Sequence, residues 1–147
     1  MTTPRLWDAG AGPDTAPDYL GLDYLGPCRI LVVEDEAMVA MLVEDQLLEA
    51  GASVLGPAPS LAAALALLDR AEECDAAVLD VNLRGESVVP LADALVRRGV
   101  PFLFMTGYGD TDGLGPYARM PVLAKPFDPL ELVVVLARLL RQAKVAG

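Results

Sequence analysis

The chain has 147 residues, room for one domain with some excess, and 54% of them are hydrophobic, which excludes a wholly disordered protein. Eleven basic residues against 21 acidic ones leave a net charge of −10, which argues against an electrostatic grip on nucleic acid or an anionic membrane. There is no histidine to serve as base, nucleophile or metal ligand, and no apolar run approaches the roughly 20 residues that span a bilayer.

Met1–Pro27 holds four prolines, four glycines, four aspartates and a single arginine without a sustained period, a composition that predicts a flexible tail. Within it Asp18–Gly26 reads DYLGLDYLG, the tetrad DYLG twice. A docking peptide and a compact linker both fit that repeat. The start of the chain lacks the basic residues and apolar centre of a signal peptide. Cys28 and Cys74 lack metal spacing and are too few for a disulfide framework, so they read as reduced packing residues of a cytoplasmic protein. The folded domain is expected over residues 28–147.

Arg29–Val33, RILVV, is predicted as a first, fully buried strand, ending in Glu34-Asp35-Glu36. From Ala37 to Ala50 a helix follows, with Met38, Met41, Leu42 and Leu48 on one apolar face and Gly51 as its stop. Ser53–Leu55 is a second short strand, and Ser60 caps an Ala/Leu-rich helix through about Ala71. Ala76–Leu79 is an apolar run that ends abruptly in Asp80, as a strand buried on both faces would. Glu86–Arg98 is predicted as a third helix, with Pro90 in an early turn. Pro101–Thr106 and Val122–Ala124 are the fourth and fifth strands. Between them Asp110–Met120 should carry a helix, but Gly113, Gly115 and Pro116 make it a poor one. Asp128-Pro129-Leu130-Glu131 opens the last helix with a cap, a proline at the first helical position and an acid at the third. Five strands alternating with helices predict an α/β fold, an open parallel sheet covered on both faces.

The residues that carry chemistry share one address. Glu34, Asp35, Asp80, Thr106 and Lys125 all end strands, and in a parallel sheet they fall on one rim. Acids at a helix start are ordinary, since they complement the helix dipole, and a lone Asp closing a strand is usually a turn former. Coincidence does not readily explain five such residues on four strands. Two of the carboxylates 4 Å apart would repel by about 4 kcal/mol at an effective dielectric near 20. A hard dication relieves this, and Mg²⁺ suits carboxylates, waters and phosphate oxygens. With the metal in place Asp80 can attack a phosphoryl group, whose oxygens Thr106 and Lys125 would bind. Gly107, without a side chain, leaves room.

In VVEDE, VLDVNL, MTGYG and AKPF, in that order and spacing, the chain from about Arg29 onward resembles the receiver domains of two-component response regulators. The resemblance implies a flavodoxin-like sheet of order 2-1-3-4-5, with Asp80 as phosphoacceptor and Glu34, Asp35, Asp80 and the main-chain carbonyl of Asn82 around Mg²⁺. Thr106 and Lys125 would be the switch hydroxyl and phosphate-binding lysine, and Lys125-Pro126 a cis bond. It also implies a histidine kinase or histidine phosphotransfer protein as donor, and a downstream protein as target. With the sequence ending in the last helix, a single-domain regulator, a phosphorylation-controlled binding module without an output domain, is expected. The aromatic that the family usually carries three residues before the lysine is replaced by Val122. FMTGYG instead resembles the subgroup known by its FATGUY motif, marked by a mobile fourth helix region. The switch is therefore expected at Thr106, Gly107 and Tyr108, with Asp110–Met120 changing its dynamics.

Two other readings compete. An aspartyl-phosphate phosphatase of the haloacid dehalogenase type wants a second Asp two residues after the nucleophile, where this chain has Asn82. A receiver-shaped scaffold that is never phosphorylated would not need the full set of side chains. Last, Leu130, Val133, Leu136, Ala137 and Leu140 share one broad side of the final helix, which Leu132 and Leu139 widen, leaving Glu131, Arg138 and Gln142 on the remainder. That arc exceeds one core contact. It predicts a protein target or a homodimer there, or else a larger core contact.

Overall fold

The structure, a computed structural model, describes residues 25–107 and 112–146. Most of the DYLG repeat and Tyr108 lie outside them. The sheet strands are β1 (Arg29–Val33), β2 (Ser53–Ala58), β3 (Ala76–Asp80), β6 (Phe102–Thr106) and β7 (Val122–Ala124), parallel and in the order β2-β1-β3-β6-β7. Counted along the sheet strands alone, this is the expected 2-1-3-4-5. A two-stranded hairpin, β4 (Asn82–Leu83) with β5 (Glu86–Ser87), stands apart from it.

The central strands are apolar on both faces, and alternation sends their side chains to two cores. Leu31, Val33, Ala77, Leu79, Phe102 and Phe104 face one core, closed by α2 (Leu61–Arg70) and α3 (Val89–Arg97). Ile30, Val32, Ala76, Val78, Leu103 and Met105 face the other, closed by α1 (Ala37–Glu49) and α4 (Pro129–Ala146). Two expected caps are in place: Ser60 Oγ accepts from the Ala63 N–H, and Asp128 Oδ1 from the Leu130 N–H.

Four expectations are corrected. First, α1 buries Ala40, Val43 and Leu47, while Met38, Met41, Leu42 and Leu48 are 78%, 60%, 60% and 51% exposed. The helix is apolar around much of its girth, and the sheet takes the stripe headed by a small residue. Second, β2 runs on through Gly56-Pro57 to Ala58 by a bulge against β1. Gly56 has a φ of 97°, and a Cβ there would lie 2.6 Å from the Ala58 nitrogen, so only glycine fits. An edge strand with a bulge also tolerates the missing N–H of Pro57. Third, the segment expected to open the third helix at Glu86 is the returning strand of the hairpin. The helix begins only at Val89, whose N–H donates to Ser87 Oγ. Fourth, Leu132 and Leu139, expected to widen an interface, are buried in the core with Val133 and Leu136. The larger core contact accounts for them.

Two further contacts were not foreseen. Leu25, placed in the tail by its composition, is buried, and its N–H donates to the Ala50 carbonyl at 2.7 Å. Between β6 and β7 the described residues form no α-helix but a 3₁₀ segment, Asp112–Tyr117, kinked at Gly115 with φ 56° and ψ −123°. Side chains anchor it to the rest of the domain. Leu114 is buried in the α2–α3 core, the Tyr117 ring meets Phe102 edge-on at 5.7 Å, and its hydroxyl donates to Asp93 on α3. Leu114→Ala should therefore cost about 2–4 kcal/mol in denaturant unfolding. A loss below about 0.5 kcal/mol would mean that the segment is an ordinary surface loop.

Candidate functional site

Strand register builds the site. Val33 pairs with Leu79, Asp80 with Met105, and Thr106 with Ala124. Glu34, Asp80, Thr106 and Lys125 therefore emerge side by side at the carboxyl rim, where open parallel sheets place ligands. The Lys125 N–H donates to the Thr106 carbonyl at 2.7 Å, and Lys125-Pro126 is cis as expected.

Lys125 Nζ lies 2.8 Å from Glu34 Oε1, 3.3 Å from Asp80 Oδ2 and 3.5 Å from Glu36 Oε1. Asp80 Oδ1 accepts from the Asn82 N–H at 3.1 Å, and Glu34 Oε2 from the Glu36 N–H at 3.0 Å. Asp35 faces Arg84, with Nε 3.8 Å from Oδ2. Glu34, Asp80 and Thr106 are buried. Gly107 follows on the rim, with no atom of the described residues within 4 Å of the place where a Cβ would stand. Asp80, Thr106, Gly107 and Lys125 line a cleft of about 710 Å³ whose other wall is apolar, including Val39 and Leu42 of α1 and Phe127.

The expected residues are thus brought together, Tyr108 excepted because it lies outside the described residues. Oxygens of Glu34, Asp35 and Asp80 all lie within 4.8 Å of one another. Among the described residues no donor meets the buried Glu34 Oε1 in hydrogen-bond geometry, and the Lys125 ammonium faces it as an ion pair. Three converging carboxylates, two of them paired with one ammonium, fit a hard dication. Glu36 and Arg84 also reach the cluster, and sequence singled out neither for it. The signal for Arg84 was the Arg-Gly pair between two short alternating runs, a hairpin loop.

Burial raises the Glu34 carboxyl from 4.5 to about 7 and the Asp80 charge adds to the rise, while Lys125 and the Glu36 N–H oppose it. For Lys125 burial pulls the other way, but Glu34 and Asp80 outweigh it and hold the ammonium's pKa above its ordinary value. Between pH 4.5 and about 7 the folded chain keeps a proton on Glu34 that the unfolded chain has released. Stability without divalent metal should therefore fall as pH rises through that window, and Glu34→Gln should flatten the fall. Thermal melts from pH 4 to 8 test this; identical profiles for both proteins would contradict it.

The sequence model of the response regulator receiver domain matches residues 30–137. The chain is 28% identical over 116 residues to YbdJ of Bacillus subtilis, described as an uncharacterized transcriptional regulatory protein, covering 76% of this chain and 50% of that one. The solution structure of SdrG from Sphingomonas melonis superposes with a TM-score of 0.69 at 42% identity, over 77% of this chain and 96% of SdrG. The response regulator PhyR from Brucella abortus has the same fold, with a TM-score of 0.75 at 24% identity, over 95% of this chain and 58% of PhyR. The chain thus spans about half the length of YbdJ and of PhyR. With the matched residues running from β1 into α4 and enclosing the whole carboxylate rim, the chain belongs to the response regulator receiver domain family.

Proposed function

We propose that the protein is a phosphorylation-controlled binding module of two-component signalling. A histidine kinase or histidine phosphotransfer protein gives a phosphoryl group to Asp80 with the help of Mg²⁺, and the phosphorylated form binds a downstream protein. The observation that carries this reading is the convergence of Asp80, Thr106, Lys125 and the Glu34–Asp35 pair at the mouth of one cleft.

An Asp80 carboxylate oxygen attacks phosphorus, and the bond from phosphorus to the donor's imidazole nitrogen breaks. Its electron pair stays on the nitrogen. Glu34, Asp35, Asp80 and the Asn82 carbonyl would hold the metal, which when bound neutralises the charge building on the phosphoryl oxygens. Lys125 exchanges its carboxylate partners for a phosphoryl oxygen, and the Thr106 hydroxyl binds another. The product is an acyl phosphate, so water in turn removes the group and the protein resets itself. The switch runs from Thr106 through Gly107 to Tyr108 and onward into Asp110–Met120. The family match leaves no support for a haloacid dehalogenase phosphatase. A cytoplasmic setting goes with a kinase donor, and no helix among the described residues is long and apolar enough to cross a membrane.

Exposed Met38, Met41 and Leu42 form an apolar patch on α1, and Leu42 belongs to both the patch and the cleft wall. Patches of this kind mark protein contacts, and this one lies where a donor protein must dock. Leu42→Glu should slow transfer from a phosphorylated kinase at least tenfold while leaving labelling by acetyl phosphate unchanged. Equal rates from the kinase would remove α1 from the donor interface.

Asp80 itself is tested by intact mass after incubation with acetyl phosphate and Mg²⁺. The wild-type chain should gain one phosphoryl group, and Asp80→Asn should gain none. Label persisting on that variant contradicts the assignment, and an unlabelled wild type makes the protein a receiver-shaped scaffold.

A further inference from the structure

The β4–β5 hairpin turns through Arg84-Gly85. The φ values of 55° and 85° put both residues in the left-handed region, as in a type I′ turn, whose first position favours Asn, Asp or Gly. Arginine is a poor choice locally, because its Cβ crowds the following carbonyl. The turn does not need its side chain, since the Gly85 N–H already donates to Asn82 Oδ1 at 2.8 Å. A costly residue at a site's edge points to use rather than to stability.

The guanidinium reaches the rim of the cleft. Its Nε is 3.8 Å from Asp35 Oδ2, and the side chain is 72% exposed against 16% for Asp35. That distance suits an ion pair and is too long for a hydrogen bond. Among the described residues this is the contact Arg84 makes, which leaves its donors available. Charge explains what they are for. Lys125 pairs with Glu34, Glu36 and Asp80, and Asp35 converges with Glu34 and Asp80, so a dication would still leave these groups with an excess negative charge. A phosphoryl donor then arrives with nearly two negative charges. Without Arg84, Lys125 would be the one cationic side chain among the described residues of the cluster to meet it.

We infer that Arg84 is a donor-recognition residue, resting on Asp35 until that carboxylate takes a metal ion and then receiving the donor's phosphoryl oxygens. The inference rests on the phosphotransfer reading above. The ligand class is a phosphoryl dianion on a good leaving group, an acyl phosphate or a phosphohistidine. The planar fork of a guanidinium matches two phosphoryl oxygens at once, and its exposure lets it meet the donor before the group enters the cleft.

The test compares the wild type with Arg84→Gly, Arg84→Asn and Arg84→Lys, using acetyl phosphate and intact mass. Arg84→Gly and Arg84→Asn should melt at a higher temperature, because the strain is gone, yet need about five- to tenfold more donor for half-maximal labelling. The rate at saturating donor should stay within twofold, and Arg84→Lys should recover part of the loss. Mg²⁺ affinity, read by calorimetry, should hold or rise in Arg84→Gly, since a competitor for Asp35 has left. Equal half-saturation in all four proteins would reduce Arg84 to a turn residue, and weaker Mg²⁺ binding in Arg84→Gly would assign its effect to the metal site; either overturns the inference. A wild type that takes no label instead removes the phosphotransfer reading itself.

Discussion

The ion cluster of Lys125 with Glu34 and Asp80 is the constraint on which the rest of the molecule depends. Parallel pairing forces the ends of β1, β3, β6 and β7 onto one rim, and three of the residues there carry negative charge. Two such charges 4 Å apart repel by about 4 kcal/mol at an effective dielectric near 20. One ammonium between them offsets much of this, yet burial, with the Asp80 charge adding to it, pushes the Glu34 carboxyl up to about 7. Buried ion pairs of this kind contribute little net stability. On the proposed function the cluster is a site whose lysine changes partners, with the free energy of that exchange available to a ligand.

The fold keeps this site steady by making everything beneath it apolar. The central strands are buried almost throughout, so their polar residues are confined to the strand ends. Above the rim the connections differ in character. The β3–α3 connection is a tight hairpin carrying Arg84, and the β6–β7 connection is a kinked 3₁₀ segment held by Leu114 and Tyr117. The first sets an exposed cation beside Asp35. The second leads back to β7 and is anchored to the core and to α3 by Leu114 and Tyr117.

Much of this was legible in the sequence where one local signal sufficed. Apolar runs closed by Glu34, Asp80, Thr106 and Lys125 located the strands and the site together, and Ser60 and Asp128 announced their helices. What escaped depended on contacts distant in sequence or on competing local signals. The α1 helix has two apolar stripes, and only the sheet decides that Ala40, Val43 and Leu47 go inside. Gly56-Pro57 reads as a loop until β1 lies alongside to pair across the bulge. Leu25 resembles its tail by composition and joins the core through a hydrogen bond to Ala50. Tyr117 sits among helix breakers, and its partners Asp93 and Phe102 belong to other elements. Tyr108 was singled out by its place two residues after Thr106, and it lies outside the described residues.

The central claim is that Lys125 trades carboxylate for phosphoryl oxygen at Asp80. A crystal structure with Mg²⁺ and beryllofluoride, a mimic of the phosphoryl group, tests it most directly. The account predicts beryllofluoride on an Asp80 oxygen, the metal ion among Glu34, Asp35 and Asp80, and Lys125 Nζ moved from Glu34 to a fluoride. Beryllofluoride bound elsewhere, or Lys125 still paired with Glu34 beside an occupied Asp80, would contradict it.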